Sequence, residues 1–75
     1  MRRLSDDMIV GLYAPRGVGT PLPEGQRIVC ARGLCPGVAT PGARAHRWAS
    51  RQPGGGVIEL CPRCHAEMMT IISGG

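Results

Sequence analysis

Four cysteines set as two close pairs, Cys30 with Cys35 and Cys61 with Cys64, carry the clearest chemistry in this 75-residue chain. Thiolates are soft ligands, and two such pairs brought together from separate loops close a tetrahedral site around one zinc ion, at about 2.3 Å per sulfur. The first pair reads Cys30-Ala-Arg-Gly-Leu-Cys35 and the second Cys61-Pro-Arg-Cys64-His65. Both gaps fall within the range of zinc knuckles, so zinc is the expected cofactor and these four residues its expected ligands.

Other uses of the same residues compete less well. Two disulfides would require export. After Arg2 and Arg3 come Asp6 and Asp7, and the apolar run Met8 to Tyr13 is short and broken by Gly11, which does not read as a signal peptide. The expected location is the cytoplasm, with thiols available for metal, and no stretch is long enough to span a membrane. Cys61-Pro-Arg-Cys64-His65 also matches the attachment motif of c-type haem. Haem would leave Cys30 and Cys35 unexplained, and Met68 and Met69 follow too closely to reach the opposite axial position. A redox Cys-x-x-Cys normally sits on a βαβ scaffold, which this chain is too short and too broken by Gly and Pro to build. A rubredoxin-type iron site fits poorly in a chain this poor in aromatics.

The chain has one Trp, one Tyr and no Phe, so its core lacks large anchors. Domains of this size often need a metal or disulfides. A structural zinc supplies roughly 10–16 kcal/mol of apparent binding free energy to the folded state.

The formal charge is +4, and every one of the nine basic residues is Arg. Residues 27–63 hold six of them against Glu59 alone, a net of +5, while residues 1–26 balance three Arg against three acids. A basic surface around the metal module favours a polyanionic partner, nucleic acid first and DNA before RNA. Arg44, Arg47, Arg51 and Arg63 are the expected contacts. An acidic protein face is the second candidate, and the oligomeric state is left open.

Several elements must hold the cysteines in place. Residues 1–26 read as a partly extended arm that docks on a partner or packs beside the hairpin, with Met8 to Tyr13 as its one strand candidate and a Pro- and Gly-rich stretch over residues 14–25 that reads as loop or extended chain. Arg27 to Cys30 is a short strand entering the first knuckle, followed by an irregular connection. Ala43 to Ser50 alternates, with Arg44, His46 and Trp48 on one face, and Val57 to Leu60 is strand-like beyond the breaker Gln52-Pro-Gly-Gly-Gly56. The two read as a β-hairpin with Trp48 as the main core anchor. A helix starts at Pro62 and stops at Gly74-Gly75, with His65, Met69 and Ile72 forming its packing stripe. Residues 27–75 are thus expected to form a small α+β zinc-stabilised domain, a treble-clef zinc knuckle with one β-hairpin and one C-terminal helix.

The segment Ala45-His46-Arg47-Trp48-Ala-Ser50-Arg51-Gln-Pro-Gly54-Gly55, followed by Val57-Ile-Glu-Leu60-Cys61-Pro-Arg-Cys64-His65, resembles the zinc-containing HNH endonucleases over roughly residues 30–69. The resemblance implies a ββα-metal core on a structural zinc, with a second divalent ion such as magnesium between hairpin and helix. It implies that His46 is the general base, and it matches His65 to the histidine after the second cysteine pair. Three positions depart from that pattern. Ala45 stands where the family has a metal-binding His or Asp, Gly56 where an asparagine orients the base, and Met69 where a further histidine is common. The chain resembles a member reduced in its catalytic residues.

Two functions follow as expectations. The first is a non-catalytic zinc-binding module that contacts a polyanionic partner through its arginines. The second is a metal-dependent nuclease using His46 and His65. The departures favour the first.

Overall fold

The computed structural model describes residues 4–74. In chain order they form α1 (Asp6–Leu12), β1 (Tyr13–Pro21), β2 (Arg27–Cys30), β3 (Gly33–Val38), β4 (Arg44–Ser50), β5 (Val57–Leu60) and α2 (Pro62–Ile72). The class is α+β, with a three-stranded antiparallel sheet in the order β1-β4-β5 and a separate β2-β3 hairpin.

Met8 to Leu12 is helical, not the strand expected from its β-branched residues. Ser5 caps the helix by accepting a hydrogen bond from the Met8 amide at 3.3 Å, and Asp6 and Asp7 sit in the first turn, where the helix dipole favours them. Ile9, fully buried, pins α1 to the core.

The stretch expected as loop or extended chain is extended: it holds the long strand β1, which pairs with β4 from Tyr13↔Ser50 to Pro21↔Arg44. Its register slips between Pro15 and Gly17 and again between Val18 and Pro21. An edge position and bulges are where a strand tolerates proline and glycine. Gly19 has a further reason: a Cβ there would run into the Glu59 carboxylate. That carboxylate reaches across the sheet to accept from the Thr20 amide at 3.0 Å and the Thr20 hydroxyl at 2.9 Å. Residues 4–26 are thus woven into the same fold as the cysteine module.

The β4-β5 hairpin follows the sequence pattern. His46 pairs with Leu60 and Trp48 with Ile58, which puts these four side chains on the face that meets α2. The connection after the first knuckle, expected to be irregular, is strand β3 as far as Val38, and Gly33 at φ +108° allows the tight turn from β2 into it.

The core joins Ile9, Trp48, Leu60 and Met68 to Cys35, Cys61 and Cys64. Trp48 is its largest member and is fully buried, as expected. The helix stripe is rotated from the expected one: Cys64 and Met68 point inward, His65 and Met69 are half-buried, and Ile72 is exposed. Cys64 must face the other cysteines, and its orientation fixes that of the whole helix.

Candidate metal centre

The β2-β3 hairpin delivers Cys30 at the end of one strand and Cys35 within the next, while Cys61 caps α2 and Cys64 lies in its first turn. All four Sγ atoms lie within 4.8 Å of one another. Cys35 Sγ is 3.5 Å from Cys30, 3.5 Å from Cys61 and 3.6 Å from Cys64. A tetrahedron of sulfurs around an ion at about 2.3 Å has edges of about 3.8 Å, so the cluster already has nearly the required size. All four thiols are free; Cys35, Cys61 and Cys64 are buried and Cys30 is partly exposed.

The donor set has the chemistry of a cation site. Burial, with hydrogen bonds from neighbouring thiols, pushes Cys35 up to about 12 and raises Cys64 as well. Burial also opposes ionisation of Cys30, but backbone hydrogen bonds from Cys61 and Arg32 outweigh it and lower that thiol. The Cys64 amide donates to Cys61 Sγ at 3.4 Å. These backbone donors favour thiolates, and a divalent ion among four such sulfurs would complete their deprotonation. Thiolate at the N-terminus of α2 also gains from the helix dipole.

Arg32, at the tip of the first knuckle, ties the centre to both helices. Its guanidinium pairs with Asp6 of α1 at 2.9 Å and with Glu67 of α2 at 2.6 Å. The knuckle backbone is held too: Leu4 N–H donates to Ala31 C=O at 3.0 Å, and Ala31 N–H to Glu59 C=O at 3.1 Å. Sequence reasoning missed Arg32, because its partners are 26 and 35 residues away and no local pattern announces them.

Beside the centre, His46 of β4 and His65 of α2 stack with ring centroids 3.8 Å apart and planes 6° from parallel. Trp48 donates its indole N–H to His65 Nδ1 at 3.0 Å. Burial, and then the charge on His46, lowers the pKa of His65. The structure thus brings together the two histidines expected for catalysis, but in an arrangement poorly suited to a shared ion. Imidazole lone pairs lie in the ring plane, so two parallel rings direct them side by side rather than toward one point. One of the four nitrogens is already occupied by Trp48. Among the described residues the four cysteines form the one group of three or more metal-ligating side chains, and the residues present do not fit the magnesium implied by the HNH resemblance.

The expected arginine contacts are distributed. Arg44 and Arg47 lie an odd number of positions apart on β4 and so face opposite sides of the sheet. Arg44 donates to the Gly19 carbonyl at 3.0 Å, Arg47 lies 3.7 Å from Glu59, and Arg63 lies 3.8 Å from Glu67. The side chain of Arg51 is exposed beyond the end of β4, where its amide donates to the Leu12 carbonyl at 2.8 Å.

No protein-family model, no curated protein and no solved structure matches this chain. The resemblance to HNH endonucleases rests on its motif residues alone.

Proposed function

We propose that the chain is a non-catalytic binding module organised by one structural zinc, with a treble-clef arrangement and a polyanionic partner. The observation that carries the zinc reading is the cluster of four free cysteines, drawn from a hairpin and a helix N-terminus, at nearly tetrahedral spacing. When bound, the ion neutralises thiolate charge and ties the β2-β3 hairpin to α2. The order of elements supports the treble-clef reading: a knuckle on β2-β3, then the β4-β5 hairpin, then α2 starting at the second pair. Cysteines that serve as metal ligands must stay reduced, a condition that a cytoplasmic location would supply.

Binding is preferred to catalysis because the His46 and His65 rings stack in parallel and Ala45 brings no donor. The net +5 over residues 27–63 supports a polyanion, either nucleic acid or an acidic protein face. Two assays on the zinc-loaded protein test this reading. Plasmid DNA with magnesium or manganese should stay intact; cleavage that disappears in His46→Ala would establish the nuclease instead. Affinity for labelled duplex DNA or poly-aspartate at low salt should fall steeply as salt rises, and binding to neither would remove the polyanion.

A further inference from the structure

The first turn of α2 and the strand β3 form the walls of an open groove over the cysteine cluster. Two adjoining cavities of about 250 and 210 Å³ share Cys35, Pro36 and Arg63 in their linings. Leu34 lines the first and Val38 the second. Leu34, Pro36 and Val38 are all exposed, Leu34 at 64% and Val38 at 53%, and follow one another along the groove through the β-bulge of β3. Across the hairpin, Val29 pairs with Leu34 and is itself 50% exposed. The aliphatic side chains of Leu34, Pro36 and Val38 take no part in holding a metal and stand in water along the groove.

The groove is basic where it is not apolar. The Arg63 side chain, on the shared wall, is 70% exposed, and Arg27, outside both linings, reaches toward the groove to donate to the Cys35 carbonyl at 3.4 Å. The one acid in either lining, Glu67, is already engaged by Arg32 and Arg63. A second copy of the chain would bring the same basic rim and another +4 of charge, so self-association is opposed. Phosphates would pair with the arginines but leave the aliphatic row in water.

We infer that this groove binds an extended acidic segment of a partner protein in which apolar side chains alternate with carboxylates. The apolar positions cover Leu34, Pro36 and Val38 while the carboxylates meet Arg63 and Arg27. This rests on the polyanion reading above and selects one class of polyanion.

The test uses zinc-loaded protein and a fluorescein-labelled synthetic peptide alternating leucine and aspartate, with poly-aspartate and duplex DNA as comparison probes. The peptide should bind about tenfold or more tighter than poly-aspartate of equal charge, reflecting the burial of aliphatic surface. The double variant Leu34→Ser/Val38→Ser should remove that advantage at unchanged zinc content, and Arg63→Glu should weaken peptide and poly-aspartate together. Equal affinity for peptide and poly-aspartate would overturn the groove assignment. So would an unchanged peptide affinity in the double variant, or tighter binding of DNA that displaces the peptide. If any polyanion binds without this preference, the groove assignment alone falls. If none binds at low salt, the polyanion reading falls with it.

Discussion

Replacing Trp48 by Phe tests the contact that joins the hairpin to the C-terminal helix. The indole N–H can only donate, so His65 Nδ1 must be unprotonated for the 3.0 Å bond to exist, and the His65 proton sits on Nε2. In Trp48→Phe this half-buried acceptor loses its partner, at a cost of about 1–3 kcal/mol. Removing roughly 40 Å³ from a fully buried position adds about 1 kcal/mol at about 24 cal/mol per Å³. The sum, about 2–4 kcal/mol, is a large share of the roughly 4–11 kcal/mol expected for a domain of this length, and corresponds to a fall in Tm of about 13–25 °C. The loss also depends on pH. The folded-state pKa of His65 lies below its ordinary 6.5, through burial first and His46 second. The unfolded chain therefore takes up this proton first. The contribution of neutral His65 is complete above about pH 6.5 and declines as pH falls through the folded value. Thermal melts of the zinc-loaded proteins across this range, with imidazole nitrogen shifts to read the tautomer, give the answer. A loss below about 0.5 kcal/mol, or a His65 proton found on Nδ1 at neutral pH, would refute the contact.

Chelation should unfold the domain: three of the seven residues in the main core cluster are cysteines of the candidate metal centre, and the remaining four side chains contribute only roughly 6–12 kcal/mol before conformational entropy is counted. Near-ultraviolet circular dichroism from Trp48 should vanish with excess chelator and return with zinc, whereas an unchanged spectrum would show that the core stands without metal. Arg32→Met should destabilise the zinc-bound protein by about 1–2 kcal/mol, since it breaks two partly exposed ion pairs, and should speed hydrogen exchange in α1. Exchange in α1 equal to wild type would mean that Arg32 does not hold this helix.

What was legible in the sequence follows the range of each interaction. The cysteine pairs, the β4-β5 alternation and the start of α2 at Pro62 are written within a few residues, and the structure has them where they were expected. α1 was missed because Ile9-Val10 suggests a strand while the decisive signals are the Ser5 cap and the acids after it. β1 was legible only as loop or extended chain, because Pro15 and Pro21 read as breakers, although an edge strand with bulges accepts both. The helix stripe was misplaced by one residue, since the inward direction is set by Cys64 and so by cysteines 29 or more residues earlier, except for neighbouring Cys61. The Arg32 pairs and the reach of Glu59 to Thr20 are contacts across the fold, which local periodicity does not encode.

The central claim is that four cysteines hold one zinc. Metal analysis of the purified protein, combined with X-ray absorption at the zinc edge, addresses it directly. One zinc per chain with four sulfur neighbours at about 2.3 Å is the expected result. A shell containing nitrogen from His46 or His65, a coloured iron protein, or a folded chain without stoichiometric metal would contradict it.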